Sequence, residues 1–404
     1  MADDEIPRPP ATGALRIGWA TPWNHRSAIA QSACEVAFEL NRRGHAVTVL
    51  RSEVGEALAL PPRPVPGPIF DLADCTPYDL RENFDVVVAH IGDHYNFHGA
   101  IPQRLGDTKV VGIFHDAFIV NLANGWLDGD DVAIRALLRQ TYGEDTLPAG
   151  EPFWLDVVDA SRRRPMVEWL ARRMAGAVAH AEHYAPRLRD ACPGPVAVIP
   201  LAFTTPDLPP APPRDDRVMV GVIGTPNPNK RVDQLIMAIA ASPVLRQRCR
   251  IRIIGEATAA ARDHLGGLAE AVGVTTPQFT GWVTDDDLRW QLRDVDVVSC
   301  LRNPVLEGAS ASLILAQCSG RPTLVSDHGC YAEVPPDTVL SCAPDHEARD
   351  VIAHLERLAA DPSAASETGR RAREFARRRH TPAAYVDKLL PLLADVAARQ
   401  GQAR

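Results

Sequence analysis

One lysine stands out in a chain that takes nearly all of its positive charge from arginine. The chain has 404 residues and 43 Lys+Arg, of which only Lys109, Lys230 and Lys388 are lysines. Lys230 comes six residues after Gly224, which ends an apolar segment, and an amphipathic segment follows it. A strand, loop and helix in this order present unpaired amides and the positive end of a helix dipole to an anion. The pattern predicts a phosphate site, with a solvated lysine at a helix start as the alternative.

A second group of residues follows a later apolar segment, which is predicted to be a strand ending near Leu301. Glu307 is followed by Gly308, Ala309 and Ser310, which open a predicted helix. Small residues let a ligand approach the backbone, and the helix start again favours an anion, which Ser310 could reach. Glu307 is placed to accept sugar hydroxyls. The alternative is that it only stabilises the dipole of its own helix.

Histidines provide the third group. The apolar segment 109–115 ends in His115, and Asp116 follows it. His90 lies near the end of the segment 84–91, and His94 and His98 follow that segment. A metal site is one interpretation of the clustered histidines, but their positions fall mostly in a predicted loop. We therefore predict no metal site here.

Apolar segments that must carry these groups alternate with helical patterns along the chain. Their near-continuous apolar character is typical of parallel strands covered on both faces. The predicted strands are 14–20, 45–51, 84–91, 109–115, 175–181, 196–201, 218–224, 251–255, 296–301 and 322–327. The proline-rich stretch 201–217 interrupts the alternation and predicts a stiff linker.

This alternation predicts an α/β chain with two doubly wound parallel-sheet domains facing across a cleft. The predicted parts are a first domain at 1–203, a linker at 204–217, a second domain at 218–380, and a closing helix and tail at 381–404. Ligands of such sheets bind beyond the carboxyl ends of the strands. The site residues should therefore come from loops in both halves.

Composition excludes several classes of protein. The net charge of −8 disfavours a general nucleic-acid binder, which needs a basic face. Eight scattered cysteines predict reduced thiols, and no apolar run approaches the ~18 residues of a membrane span. The acidic, proline-rich start MADDEIPRPP is unlike a signal peptide. We expect a cytoplasmic protein without a membrane span, and peripheral membrane contact stays open.

Taken together, the motifs resemble the retaining GT-B glycosyltransferases of family 4, the glycosyl transferases group 1. The resemblance covers most of the chain and is strongest over 218–335. It rests on the order and spacing of Gly224 and Lys230, 252-RIIG-255, 280-TGWV-283, 304-PVLEG-308 and 320-GRPTLVSDHGCYAE-333.

The resemblance implies that 1–203 is the acceptor-side domain and that 218–380 is the nucleotide-sugar-binding domain. It also implies a role for each matched position. The donor diphosphate would be bound by Gly224, Lys230, Gly308, Ala309 and Ser310, and Glu307 and His115 would act on the sugar as catalytic residues. On the acceptor side it implies Ala28, at the position of a family glycine, together with His98 and Asp116.

This chain departs from the family pattern at two positions. Thr225 occupies the position of a basic residue, and either Arg231 or Arg302 could supply the missing charge. Leu315 occupies the position of a second glutamate that holds the ribose.

The implied reaction is transfer of a hexosyl unit from a nucleoside-diphosphate sugar to a hydroxyl acceptor, with retention and with no metal or other cofactor. A sugar-nucleotide 2-epimerase and a catalytically silent sugar-nucleotide binder remain as alternatives. A nicotinamide-dependent dehydrogenase is disfavoured because the glycine fingerprint of such enzymes is missing.

Overall fold

The computed structural model describes residues 13–105, 110–143, 156–204, 208 and 216–401. The chain divides into two compact units. Unit 1 comprises the residues up to Phe203, Leu306–Ala309 and the residues from Pro382 onward. Unit 2 comprises Thr204–Val305 and Ser310–Thr381. The predicted linker 204–217 lies largely outside the described residues.

Unit 1 is built on a parallel sheet that has seven strands in its described part, in the order β3-β2-β1-β4-β5-β6-β7. The strands are β1 Arg16–Thr21, β2 Ala46–Arg51, β3 Ile69–Asp71, β4 Val86–Ile91, β5 Val110–Phe114, β6 Gly176–Ala179 and β7 Val196–Val198. The helices are α1 Ala28–Arg42, α2 Pro77–Asn83, α3 Tyr95–His98, α4 Ala100–Arg104, α5 Val120–Trp126, α6 Asp131–Tyr142, α7 Val157–Arg163, α8 Val167–Ala171, α9 Ala185–Ala191 and the C-terminal α17 Pro382–Gly401.

Unit 2 repeats this design with a parallel sheet that has six strands among its described residues, in the order β10-β9-β8-β11-β12-β13. The strands are β8 Val218–Ile223, β9 Cys249–Ile254, β10 Gln278–Phe279, β11 Val297–Cys300, β12 Thr323–Ser326 and β13 Leu340–Cys342. The helices are α10 Val232–Ala241, α11 Pro243–Arg248, α12 Ala259–Ala271, α13 Asp285–Arg293, α14 Ala311–Cys318, α15 Glu347–Ala360 and α16 Pro362–Arg379.

Each sheet is buried by helices that pack on it, as the apolar strands predicted. In unit 1, Trp19, Val88 and Ile113 form a core with side chains of α1 and α17, including Leu40 and Leu389. Removal of such side chains from water stabilises the fold by ~1.5–3 kcal/mol each. The predicted closing helix is therefore part of the core of unit 1.

The predicted fold class is confirmed, since both sheets are parallel and wound with helices. The strands predicted within the described residues are present to within a few residues at their ends. The short strands β3, β10 and β13 were not predicted.

Candidate functional site

The order of strands in unit 2 reverses between β8 and β11, and ligands of doubly wound sheets bind at such a point. The loops that follow these two strands are hydrogen bonded to each other. The backbone N–H of Asn303 donates to the carbonyl oxygen of Asn229 at 2.9 Å, and Asn229 Nδ2 donates to the carbonyl of Pro304 at 3.5 Å. The residue next to Lys230 is thus anchored at the reversal point.

Lys230 lies half-buried at the carboxyl end of β8, where its Nζ donates to the carbonyl oxygen of Ile223 at 2.8 Å. Gly224 has a φ of 82°, in the left-handed region that favours glycine. A Cβ on Gly224 would lie 2.7 Å from Lys230 Nζ. Gly224 therefore gives the chain its turn and leaves room for the ammonium group.

The two arginines proposed as a second cation are both held within unit 2. Arg231 Nε donates to Glu347 Oε1 at 2.9 Å, and Ser326 Oγ donates to Glu347 Oε2 at 2.8 Å. Ser326 Oγ accepts the backbone N–H of Arg302 at 3.0 Å. The Arg231 side chain is 27% exposed, whereas Arg302 is 5% exposed, so Arg231 is the more accessible cation.

At the start of α14, one of the predicted anion-binding residues caps the helix. Ser310 is the N-cap, and its Oγ accepts the backbone N–H of Leu313 at 3.2 Å. The hydroxyl oxygen is the acceptor in this capping bond, as is usual for serine at an N-cap, and its O–H can still donate to an anion. Leu315, in the position of the missing glutamate, is a buried residue of α14.

The segment Leu306–Ala309 corrects one domain assignment, because it belongs to unit 1 and not to the predicted domain 218–380. The reason is backbone pairing with the loop after β5. The N–H of Ala117 donates to the carbonyl of Leu306, and the N–H of Gly308 donates to the carbonyl of His115, each at 2.8 Å. Glu307 thereby lies opposite Asp116 in an antiparallel bridge.

Gly308 fits this bridge only because it has no side chain. A Cβ at this position would lie 2.5 Å from Tyr184 Oη and 2.9 Å from the carbonyl oxygen of His115. Tyr184 is buried, accepts the N–H of His180 at 2.7 Å and donates to the carbonyl of Phe114 at 2.6 Å. Tyr184 therefore forms a fixed support for Gly308.

His115 is buried, and both of its ring nitrogens are used inside unit 1. Its Nε2 lies 2.8 Å from His90 Nδ1, and its Nδ1 lies 3.2 Å from His180 Nε2. Burial and the neighbouring histidines lower the pKa of His115 well below its ordinary value. A sugar hydroxyl could bond to this ring only by displacing one of the two histidines.

Asp116 lies beside a second aspartate of unit 1, Asp93. Its Oδ2 accepts the backbone N–H of Asp93 at 2.8 Å. Burial raises the pKa of Asp116 to about 7, and the charge of Glu307 adds to the rise. Burial and the charge of Asp116 also raise the pKa of Asp93, whose carboxylate accepts N–H groups of Asn121. Asp116 can therefore give or take a proton near pH 7.

The clustered histidines have separate side-chain contacts. His98 is buried, its Nδ1 donates to the carbonyl of His90 at 2.8 Å, and burial lowers its pKa to about 3. The ring of His94 packs on Phe97. Within the described ranges, no group of three His, Cys, Asp or Glu side chains is placed to hold a metal ion.

The remaining acceptor-side residue, Ala28, is the exposed first residue of α1. The N-cap of this helix is Ser27, whose Oγ accepts the backbone N–H of Ala30 at 3.2 Å. Ala28 thus lies at the kind of helix start where the family glycine was expected.

Four residues that contact the site residues of units 1 and 2 were not predicted: Asp93, His180, Tyr184 and Glu347. His180 had a detectable signal, because it directly follows an apolar segment, as His115 does, and His90 lies near the end of another. The other three take part through contacts between residues far apart in the chain, which no local pattern reveals.

Comparison with protein families decides the classification. Residues 206–378 match the family model described as glycosyl transferases group 1. These residues form a glycosyl transferases group 1 domain. The matched range includes Gly224, Lys230 and Glu307. The comparison with curated protein sequences gives no match.

Solved structures with the GT-B fold resemble this chain over most of its length. HepE from Anabaena, in complex with UDP and glucose, shares 14% identity at a TM-score of 0.62, covering 94% of this chain and 100% of HepE. Sucrose-phosphate synthase from Thermosynechococcus elongatus shares 14% identity at a TM-score of 0.61, covering 96% of this chain and 97% of the synthase. TarM shares 17% identity at a TM-score of 0.53, and the match covers 76% of this chain and 54% of TarM. The chain thus spans about half the length of TarM. These likenesses establish the GT-B fold.

In the part of the chain that the structure describes, no helix combines the length and apolar character needed to cross a bilayer.

Proposed function

We propose that the chain is a retaining glycosyltransferase that moves a hexosyl unit from a nucleoside-diphosphate sugar to a hydroxyl acceptor. The observation that carries this proposal is the position of Lys230, whose ammonium group lies beside Gly224 at the strand-order reversal of the group 1 domain. A full positive charge at that point is suited to a diphosphate. The UDP and glucose named with HepE are the kind of ligands that we expect.

The barrier to such a transfer is set by the negative charge that develops on the leaving diphosphate. Lys230 and the backbone amides at the start of α10 would stabilise this charge. A preorganised donor of this kind contributes ~2–4 kcal/mol to the transition state. Arg231 would add a second positive charge by exchanging part of its contact with Glu347 for the diphosphate.

The residues of unit 1 would act on the sugar and the acceptor. Glu307 and Asp116 offer carboxyl oxygens to hydroxyl groups, and their backbone bridge places the two residues opposite each other. The contribution of such groups is positional, since a correctly oriented sugar reaches the transition state more often. The acceptor proton would be taken by the departing phosphate, so no covalent nucleophile is assigned.

The test is a donor screen followed by turnover. UDP-, GDP-, TDP- and ADP-sugars are added singly in a thermal-shift assay, where a bound donor raises Tm with its occupancy. The best donor is then incubated with a set of hydroxyl acceptors while free nucleoside diphosphate is measured. Release that requires an acceptor, with a product whose anomeric configuration by NMR matches the donor, supports the proposal. Donor binding without release under every acceptor would refute transfer and support a silent binder.

A sugar-nucleotide 2-epimerase is the second candidate, and one observation favours it. Epimerisation needs acid and base groups, and Asp116, whose pKa is raised to about 7, lies opposite Glu307. An epimerase would convert the donor into its 2-epimer in the absence of an acceptor. Chromatography of the sugar nucleotide after incubation with the enzyme alone distinguishes the two reactions.

A further inference from the structure

Three buried imidazoles lie in a row in unit 1, and we refer to His90, His115 and His180 as the histidine chain. His90 belongs to β4, and His115 and His180 directly follow β5 and β6. Each is at most 5% exposed. His90 Nδ1 lies 2.8 Å from His115 Nε2, and His115 Nδ1 lies 3.2 Å from His180 Nε2.

A backbone carbonyl fixes the direction of every hydrogen bond in this chain. His180 Nδ1 lies 2.8 Å from the carbonyl oxygen of Ile199, which can only accept. His180 must therefore carry its proton on Nδ1, and in the neutral ring its Nε2 is an acceptor. His115 then donates from Nδ1 to His180, and its own Nε2 accepts the Nδ1 proton of His90. One carbonyl thus selects the same tautomer for all three rings.

The surroundings of the chain keep the rings of His90 and His115 neutral. Burial, together with the charge that each neighbouring histidine would carry, lowers the pKa values of His90 and His115 well below that of a free histidine. The edge of Trp19 packs on the ring of His90, with 4.5 Å between ring centroids. A neutral ring carries its proton on only one nitrogen, so the hydrogen bond of His180 to Ile199 determines the tautomer of each neighbouring ring in turn.

The orientation of His115 matters because its backbone holds Glu307. The carbonyl of His115 accepts the N–H of Gly308, directly after Glu307, at 2.8 Å. His180 also acts on this backbone from a second direction, since its N–H donates to Tyr184, whose hydroxyl donates to the carbonyl of Phe114. His180 therefore contacts the ring of His115 directly and its preceding peptide through Tyr184.

We propose that His180 is a positioning residue for the transfer reaction, which holds His115 as the Nδ1–H tautomer and so fixes the backbone bridge that carries Glu307. The proposal rests on the proposed function, because the reaction that is positioned is the sugar transfer. His180 itself has no contact with the reacting atoms in this account. Its role is exerted through His115 and Tyr184.

Two substitutions separate a positioning role from a packing role. His180→Gln places an amide oxygen where His180 Nε2 accepts, so it can still receive the Nδ1 proton of His115. His180→Leu has a similar volume and no acceptor. We expect His180→Leu to lower kcat at least tenfold with the donor KM within threefold, and His180→Gln to stay within threefold of the wild type in both constants. The matched control is His264→Leu, an exposed histidine of α12.

Ring ¹⁵N NMR of the histidine-labelled wild type tests the tautomers without any variant and without any substrate. We expect His90, His115 and His180 to be neutral Nδ1–H imidazoles at pH 7. An Nε2–H tautomer or a protonated ring at His115 would overturn the proposal, as would a His180→Leu enzyme with wild-type kcat or a His180→Gln enzyme as impaired as His180→Leu. A wild type that turns over no sugar nucleotide would instead refute the proposed function, and the positioning role with it, while the NMR spectrum still decides the tautomers.

Discussion

Substitution of Gly308 by alanine should disrupt the support of Glu307, because the added methyl group has no room. Its carbon would lie 2.5 Å from Tyr184 Oη, 2.7 Å from Cζ of the same ring and 2.9 Å from the carbonyl oxygen of His115. The ring cannot move away easily, since its hydroxyl is held by the N–H of His180 and the carbonyl of Phe114.

The expected loss of stability follows from these contacts. Overpacking of a fixed site costs ~1–3 kcal/mol. If the backbone moves instead, the hydrogen bond from Gly308 to His115 is lost, which costs ~0.5–1.5 kcal/mol. We expect Gly308→Ala to lower the free energy of unfolding by about 1–3 kcal/mol. The displacement of Glu307 should lower kcat by ~10–100-fold, the size of effect that a misplacement of about 1 Å can produce.

Denaturant unfolding and donor turnover of the same preparations measure both effects. The control is Gly267→Ala in α12, where the added carbon meets nothing within 4 Å and alanine should stabilise the helix by up to ~1 kcal/mol. Tyr184→Phe removes the nearest clashing atom, so the double variant should show a coupling energy of ~1 kcal/mol or more between the two positions. A Gly308→Ala protein as stable and as active as the Gly267→Ala control would refute the reasoning.

Two further predictions concern the other site residues. Gly224→Ala should lower stability by ~1–2 kcal/mol because of its positive φ and should also weaken donor binding, since the added carbon would lie 2.7 Å from Lys230 Nζ. Gly273→Ala is the control, because Gly273 also has a positive φ and the added carbon would meet nothing within 4 Å. Calorimetric titration with the donor should show a loss of affinity only for Gly224→Ala. Equal donor affinities in the two variants would contradict the steric argument. The pKa of Asp116 is raised from 3.8 to about 7, so the protonated carboxyl stabilises the folded protein. This contribution is complete below about pH 4 and is lost as the pH rises to about 7. The free energy of unfolding should fall by up to ~1.4 kcal/mol per pH unit within this window. Asp116→Asn keeps an acceptor for the N–H of Asp93 and removes this ionisation, so its stability relative to the wild type should rise across that pH window; parallel stability curves would show that Asp116 does not titrate there.

Much of the fold could be predicted from the sequence because the strands are continuously apolar and the helices are amphipathic. These are local signals, and they located most of the long strands of both sheets. The edge strands β3, β10 and β13 are two or three residues long, too short to show a period. The position of Lys230 after a strand-ending glycine was equally local, and the structure places the ammonium group at the end of β8.

The neighbours of the site residues could not be predicted, since they come from distant parts of the chain. His90 was grouped with His94 and His98 because they are close in sequence, but its ring contacts His115, 25 residues away. Arg231 pairs with Glu347, 116 residues away. The backbone bonds that join Leu306–Ala309 to unit 1 involve no side-chain pattern at all.

The register of the sheet explains why the three histidines of the histidine chain lie side by side. Ile91 pairs with Phe114, and Phe114 pairs with Ala179, so the residues that follow these pairs, Gly92, His115 and His180, are aligned as well. Side chains alternate between the faces of a strand, so His90 lies on the same face as His115 and His180. The contact between the three rings follows from the pairing and register of β4, β5 and β6, which the sequence does not show. The sequence indicates only that a histidine lies near the end of each strand.

The claim on which the account depends is that Lys230 binds the donor diphosphate. The most direct measurement is the affinity of nucleoside diphosphates by isothermal titration for the wild type, for Lys230→Met and for Lys388→Met, an exposed lysine of α17 that serves as control. A charge-assisted hydrogen bond contributes ~1.5–3 kcal/mol, so we expect Lys230→Met to weaken the best-bound nucleoside diphosphate by ~10–100-fold, and Lys388→Met to leave its affinity unchanged. Equal affinities for the wild type and Lys230→Met would contradict the account.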